Sequence, residues 1–99
     1  MNIKITARKF KAQESLKDFI NSTVSSLSKY NDNILNADVR LSFQNSKDSI
    51  KIAEIIVAVP GQTLTATEES DDFVKSVNAA NEKIVRQLKK LKTKRIQHV

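Results

Sequence analysis

The longest hydrophobic pattern in the chain lies near its C-terminal end and predicts an α-helix. Between Ser70 and Arg95, apolar residues recur at steps of three and four, which places them on one side of a helix. Ser70 is predicted to be the N-cap, because its hydroxyl can accept a hydrogen bond from a free backbone N–H of the first turn. The apolar residues of this side are Phe73, Val77, Ala80, Ile84, Leu88 and Leu91.

Shorter patterns predict the elements of the first third of the chain. Polar and apolar residues alternate from Asn2 to Thr6, which is typical of a strand. A helical period follows from about Gln13 to Lys29. The residues Asn31 to Asn33 predict a turn. The predicted apolar face of the first helix is formed by Leu16, Phe19, Ile20, Val24, Leu27 and Tyr30.

Three further strands are predicted between the two helices, each bounded by turn-forming residues. Alternation of apolar and polar positions indicates that each strand buries one face. In order, the elements are a strand around Val39, Leu41 and Phe43, a hairpin loop at 45–49, a strand at 50–59, a turn at Pro60-Gly61-Gln62, and a strand at 63–67.

The order β-α-β-β-β-α predicts an α+β fold. The first two strands are joined through a helix, so they are expected to be parallel if they are neighbours, whereas the other connections are hairpins. The simplest arrangement is a four-stranded mixed sheet with both helices packed on one face. Residues 1–95 are expected to form a single domain, and 96–99 a flexible C-terminal tail.

Composition indicates a small soluble domain that attracts polyanions. The 99 residues carry a net charge of +6 with a pI of about 9.7, which favours nucleic acid as a partner over an anionic membrane. The chain has no cysteine, which excludes disulfides, thiol catalysis and zinc–thiolate sites. Neither a signal-peptide pattern nor a membrane-spanning apolar run occurs, so a cytoplasmic location is expected.

The last predicted helix also carries a cationic stripe, formed by Lys83, Arg86, Lys90 and Lys94. Seven Lys or Arg residues lie between Lys83 and Arg95, and no acidic residue follows Glu82. These cations could simply solvate the helix and complement its dipole, but dipole effects fade within about one turn and the run covers more than three. A functional basic face is therefore the preferred interpretation.

Candidate catalytic and metal-binding residues are few. His98 is the only histidine and lies in the predicted tail, and Gly61 is the only glycine, so no phosphate-binding loop is present. Glu54 is expected to be exposed or paired with a lysine. No catalytic residue, metal, cofactor or small-molecule substrate is predicted, and the free protein is expected to be a monomer. The acidic residues expected to mark the start of the last helix, in preference to binding a metal, are Glu68, Glu69, Asp71 and Asp72.

The predicted surface suits RNA phosphates better than RNA bases. Tyr30 and the phenylalanines lie at core spacing and are not interleaved with basic residues, which argues against base stacking. A rigid domain with a cationic helix would instead contact phosphate oxygens, which favours a structured RNA.

Two segments resemble the ribosome hibernation promoting factor family, which includes the ribosome-associated inhibitor proteins. Val-Pro-Gly-Gln-Thr-Leu-Thr-Ala at 59–66 is similar to the family's third hairpin. Asp72-Phe73, Val77 and the run from Lys83 to Lys92 resemble the pattern of the family's final helix. The resemblance covers nearly the whole chain, including Ile-Lys-Ile-Thr at 3–6.

The resemblance implies a fold like that of double-stranded-RNA-binding domains and a function on the ribosome. It implies binding to the small ribosomal subunit in the channel used by mRNA and tRNA, which blocks translation and preserves idle ribosomes in stationary phase or starvation. The expected contacts with ribosomal RNA phosphates are made by Lys83, Arg86, Lys89 and Lys90, extended by Lys92, Lys94 and Arg95.

Departures from the family pattern concern the first helix and the chain's length. Thr23 and Ser26 stand where many relatives carry basic residues, so Lys17 and Lys29 are only secondary candidates for RNA contact. No counterpart of the long family members' dimerising domain is recognised among these 99 residues, so a short-type factor is expected.

Two other functions are kept as alternatives. One is a protein-binding modulator of a transcription (sigma) factor, the role implied by the family's other name, sigma-54 modulation protein. The other is a general double-stranded-RNA-binding module, which is disfavoured because such modules place a lysine cluster at the start of their last helix, and this helix starts with acidic residues.

Overall fold

The computed structural model describes the backbone of residues 1–44 and 50–97, with side chains as far as Leu91. The predicted β-α-β-β-β-α order is confirmed; the predicted hairpin loop at 45–49 lies outside the described residues. The elements are β1 (Asn2–Ala7), α1 (Glu14–Ser25), a 3-10 helix (Ser26–Lys29), β2 (Asn36–Gln44), β3 (Ile50–Val59), β4 (Gln62–Ser70) and α2 (Phe73–Gln97).

The four strands form one mixed sheet in the order β1-β2-β3-β4. β1 runs parallel to β2, because the chain returns to the same end of the sheet through α1, and the other two pairs are antiparallel. One row across the sheet aligns Thr6, Arg40, Glu54 and Thr67. The predicted mixed sheet is therefore confirmed.

Both helices cover the same face of the sheet. Alternate residues of the central strands, including Val39 and Ile55, are fully buried on that face, and Ile84 of α2 is equally buried against them. The opposite face carries polar residues such as Arg40 and Glu54, which form an ion pair at 3.8 Å between Nη1 and Oε1. Burial of apolar side chains in this single layer between helices and sheet is the main force that holds the fold together.

The first helix ends earlier than predicted. The expected helix over Gln13–Lys29 is α-helical only to Ser25 and then tightens into the 3-10 helix. The Ser26 hydroxyl donates to the Thr23 carbonyl at 2.6 Å, as the hydroxyls of Ser25 and Ser28 do to their own i−3 carbonyls. Such side-chain bonds compete with the backbone for its carbonyls and favour the tighter turn.

Two aromatic residues predicted to lie in the core are exposed. Tyr30 follows the 3-10 helix, whose three residues per turn rotate it off the α1 face, and it is 36% exposed. Phe43 lies near the end of β2 and is 40% exposed. Its ring packs on Phe10 at 5.5 Å between centroids, and Phe10 stacks on Phe73 at 5.1 Å. These three phenylalanines form an aromatic cluster at the end of the sheet where α2 begins.

The turn between β3 and β4 lies where it was predicted but is one residue shorter, because Gln62 already belongs to β4. Val59 pairs with Gln62, so Pro60 and Gly61 are the two turn residues. Proline holds φ near −65° and Gly61 has φ +87°, the combination that a type II turn requires. The sequence at this turn therefore determines where the chain reverses.

The start of α2 differs from the prediction in one respect. β4 continues to Ser70, which pairs with Lys51 of β3, and the helix begins at Phe73. Asp72 caps it, because its Oδ1 accepts a hydrogen bond from the Val74 backbone N–H at 2.8 Å. The prediction of Ser70 as the N-cap is therefore wrong by two residues. None of the helices in the described ranges is long and apolar enough to cross a membrane.

Candidate nucleic-acid interface

The last helix, α2, separates an apolar side from a cationic side. Val77, Ala80, Ile84 and Leu88 are buried, whereas the cations between them are exposed. The exposed cations are Lys83, Arg86, Lys89 and Lys90. The other predicted contact residues, Lys92, Lys94 and Arg95, lie on the helix backbone, but their side chains fall outside the described part of the chain. Contact of all seven with RNA stays a prediction.

Two polar contacts attach one flank of this helix to β4. Lys83 Nζ lies 3.1 Å from Glu68 Oε1, and Gln87 Nε2 donates to the Thr65 carbonyl at 2.9 Å. Lys83 and Gln87 are one helical turn apart, and their partners on the strand, Glu68 and Thr65, are three residues apart. The Glu68 carboxylate partly neutralises Lys83, which reduces the charge that this residue presents to a phosphate.

Arg86 and Lys90 project from the outward side of the helix. Neither forms an ion pair with any carboxylate in the described residues. Their Cα atoms are four residues apart, about 6 Å along the axis at 1.5 Å per residue. The Arg86 guanidinium can hold a phosphate with two parallel hydrogen bonds, and Lys90 offers a compact ammonium beside it.

Lys89 lies on the opposite flank, close to the end of the first helical segment. Its Nζ is 5.7 Å from the centroid of the Tyr30 ring, a cation–π distance. A hollow of about 430 Å³ opens beside Tyr30, lined by residues that include Lys29, Pro60 and Leu88. Sequence reasoning missed this arrangement because it placed Tyr30 in the core. The Asn-Asp-Asn turn directly after Tyr30 was a signal that the helical face had ended.

The acidic residues at the start of α2 have structural partners. Lys75 Nζ lies 3.2 Å from Asp71 Oδ1, and this hydrogen bond, aided by the lysine charge, lowers the pKa of the Asp71 carboxyl. Asp72 caps the helix, and Glu68 pairs with Lys83. These carboxylates are thus spread between a helix cap and two ion pairs instead of converging on one point.

The outward side of α1 is polar but presents little charge. Ser22, Ser25 and Ser28 are exposed, and the hydroxyls of Ser25 and Ser28 are bonded to nearby backbone carbonyls. Lys17 lies 4.0 Å from Glu14, which offsets its charge, while Lys29 is exposed beside the hollow. The concentration of positive charge therefore lies on α2 and not on α1.

A sequence model of the family described as "Sigma 54 modulation protein / S30EA ribosomal protein" matches residues 3–96. The chain is 26% identical over 94 residues to the ribosome hibernation promotion factor of Bacillus subtilis, and 26% identical over 92 residues to that of Deinococcus radiodurans. The matches cover 95% and 91% of this chain but 50% and 48% of the relatives. The chain thus spans about half the length of these curated relatives.

Solved structures share the fold. A ribosomal subunit interface protein from Coxiella burnetii superimposes with a TM-score of 0.83 at 28% identity, covering 94% of this chain and 99% of that one. The N-terminal domain of Thermus thermophilus Protein Y superimposes with a TM-score of 0.82, also at 28% identity, covering 92% and 99%. The family match over nearly the whole length, together with these structures, confirms the resemblance found in the sequence, and the chain belongs to the sigma 54 modulation protein / S30EA ribosomal protein family.

Proposed function

We propose that this protein is a ribosome hibernation factor that binds the small ribosomal subunit in the channel used by mRNA and tRNA. By occupying the channel it blocks translation and preserves idle ribosomes. It acts by occupancy, without catalysis or a cofactor, and in the cytoplasm where ribosomes are found. The names of the relatives support a role on the ribosome, and the cationic side of α2 supports ribosomal RNA phosphates as the contact.

The observation that carries the proposal is the exposed pair Arg86 and Lys90 on a rigid helix. The apolar side of α2 is buried against the sheet, so the backbone that carries the two cations is ordered before binding and only their side chains remain to be ordered on contact. Contacts of this kind orient a protein on RNA without reading its sequence. Binding through them is expected to be strong at low salt and to weaken steeply as salt rises.

Small-subunit binding across a salt series tests the proposal. Arg86→Gln and Lys90→Gln should each lower affinity and reduce the log–log salt slope by about 0.7 to 0.9, since each removes one phosphate contact. Arg86→Lys should also weaken binding, because lysine keeps the charge but loses the planar fork. Lys4→Gln is the matched control, since Lys4 is exposed on the opposite face of the sheet. Equal affinity and slope in all variants would contradict the proposal and favour a protein partner such as a sigma factor.

The ion pair between Lys83 and Glu68 allows a second test, in which one substitution is expected to strengthen binding. Because Glu68 partly neutralises Lys83, Lys83→Gln should weaken binding less than Arg86→Gln does. Glu68→Gln should release the lysine and strengthen binding, with a steeper salt slope. Weaker binding of Glu68→Gln would mean that the pair serves to position the helix and not to limit its charge.

A further inference from the structure

The segment that joins β1 to α1 carries a second cluster of positive charge. Its residues Arg8, Lys9 and Lys11 are exposed, while Phe10 between them is half-buried and Ala12 is buried. The exposed side chains of this segment are thus all cations, and its two apolar side chains face inward. We call this segment, residues 8–12, the basic loop.

The basic loop is anchored to the rest of the fold at both ends. The Arg8 backbone N–H donates to the Leu41 carbonyl at 2.9 Å, which continues the pairing of β1 with β2. Phe10 is fixed in the aromatic cluster against Phe43 and Phe73, and Ala12 is 6% exposed in the core. The backbone of a loop anchored in this way is already ordered before binding, so only the cationic side chains remain to be ordered on contact.

Lys9 adopts a backbone conformation that lysine normally avoids. Its φ is +66°, in the left-handed region, where glycine and asparagine are accommodated at lower cost. Strain of this kind persists only when the surrounding structure imposes it, and it is found preferentially at functional positions. Here the anchoring of Arg8 and Phe10 on either side imposes it, and the result is an outward-facing ammonium between two other cations.

None of the three cations is neutralised by another part of the described chain. Arg8, Lys9 and Lys11 form no ion pair there, whereas the nearby Lys75 and Lys17 do. The basic loop lies at the end of the sheet where α2 begins, since Phe10 stacks on Phe73. Phe73 and Lys90 are about 25 Å apart along the helix axis at 1.5 Å per residue. The molecule therefore carries two separate cationic surfaces.

We propose that the basic loop is a second phosphate-binding surface, which contacts an RNA backbone at a distance from the one held by α2. This inference rests on the proposed function, because the RNA belongs to the same small subunit. RNA is favoured over an acidic peptide because Phe10 is turned into the aromatic cluster, so the loop offers charge without an aromatic side chain of its own to anchor a peptide. Contact at two points fixes the orientation of the protein as well as its position.

Small-subunit binding of two loop variants over a salt series provides the test. The triple variant Arg8→Gln/Lys9→Gln/Lys11→Gln should lose about fivefold in affinity per contact at 0.1 M salt, and its log–log slope should fall by about 2. Lys9→Gly separates binding from folding: glycine relieves the left-handed strain, so this variant should melt no lower than wild type and still bind more weakly. Lys4→Gln on the neighbouring strand is the charge-matched control.

The outcomes distinguish this inference from the proposed function. If Arg86→Gln weakens binding but both loop variants bind like wild type, the basic loop is not a contact and only this inference is overturned. If Arg86→Gln also leaves binding unchanged, the proposed function fails with it. A photocrosslinker placed at position 9 should label ribosomal RNA; labelling of a ribosomal protein, or weaker binding with an unchanged salt slope, would overturn phosphate contact by the loop.

Discussion

At the scale of single residues, three short polar side chains set the boundary between β4 and α2. The Ser70 hydroxyl lies 2.8 Å from the Ser76 hydroxyl, and Ser76 donates to the Lys51 carbonyl of β3 at 2.7 Å. Ser76 is fully buried, so this bond satisfies a polar group that would otherwise be costly to remove from water. Together with the Asp72 cap, these contacts connect the first turn of the helix to the sheet.

Removal of the cap should cost measurable stability. Asp72→Ala loses the bond to the Val74 N–H and should lower the free energy of unfolding by about 0.5–2 kcal/mol. The measurement is denaturant unfolding followed by circular dichroism. Asp71→Ala is the matched control, because its exposed carboxyl pairs with the side chain of Lys75 and does not cap the helix, so its loss should matter less. Equal losses in the two variants would show that the helix dipole, and not the cap, stabilises this end.

The position of the N-cap is a feature of this boundary that the sequence alone does not determine. Serine and aspartate both form N-caps, so the run from Ser70 to Asp72 contains three acceptable candidates. The choice is made by β4, which stays paired with β3 as far as Ser70 and so delays the helix by two residues. Because strand pairing is a long-range contact, local propensity could not supply it.

At the scale of elements, those with several hydrophobic repeats were predicted correctly, including both ends of β3, whereas the end of α1 and the start of α2 were not. α2 and the strands each show several periods of hydrophobic alternation, which identify the buried side without reference to neighbours. The end of α1 and the partner of Lys83 depend on competing serine hydroxyls and on how α2 lies along β4. Lys83 was correctly predicted to be exposed, but its ion pair with Glu68 could not be predicted.

Burial of α2 gives a quantitative expectation for this element. Leu88 is 1% exposed, so Leu88→Ala should destabilise the protein by about 2–5 kcal/mol, through lost burial and the cavity left behind. Leu91→Ala removes the same atoms at a half-buried position and should cost less. Thermal melts of the two variants provide the measurement. A Leu88→Ala protein that melts like wild type would contradict the packing of this helix face.

At the scale of the whole molecule, positive charge is concentrated on α2 and the basic loop, while the C-terminal end of β4 and the two residues just before α2 are acidic. The sequence predicted the first of these surfaces because the cations recur over three helical turns. The sequence did not predict the basic loop as a cationic surface, because a short connection has no hydrophobic period from which its exposed side could be identified. Only the three-dimensional structure shows that the loop is anchored through Phe10 and that Lys9 has a left-handed backbone conformation.

Function at this scale should follow from occupancy alone. The wild-type protein is expected to inhibit peptide synthesis in a purified translation system with no added cofactor, because the proposed binding in the mRNA channel would exclude mRNA. The Arg86→Gln/Lys90→Gln double variant should inhibit less at the same concentration and ionic strength. Undiminished synthesis at a saturating concentration of wild-type protein would contradict a role as a translation inhibitor.

The bond from Gln87 to Thr65 has a consequence for how copies of the protein behave together. Because Val59 and Gln62 flank a two-residue turn, pairing alternates along β4 so that the Thr65 carbonyl faces the outer edge of the sheet. An unpaired strand edge is a template on which another chain can add a strand and begin to aggregate. By occupying that carbonyl, Gln87 closes part of this edge with a side chain of the same helix that carries the cations. The side chain therefore removes one acceptor from the edge with which a further strand would pair.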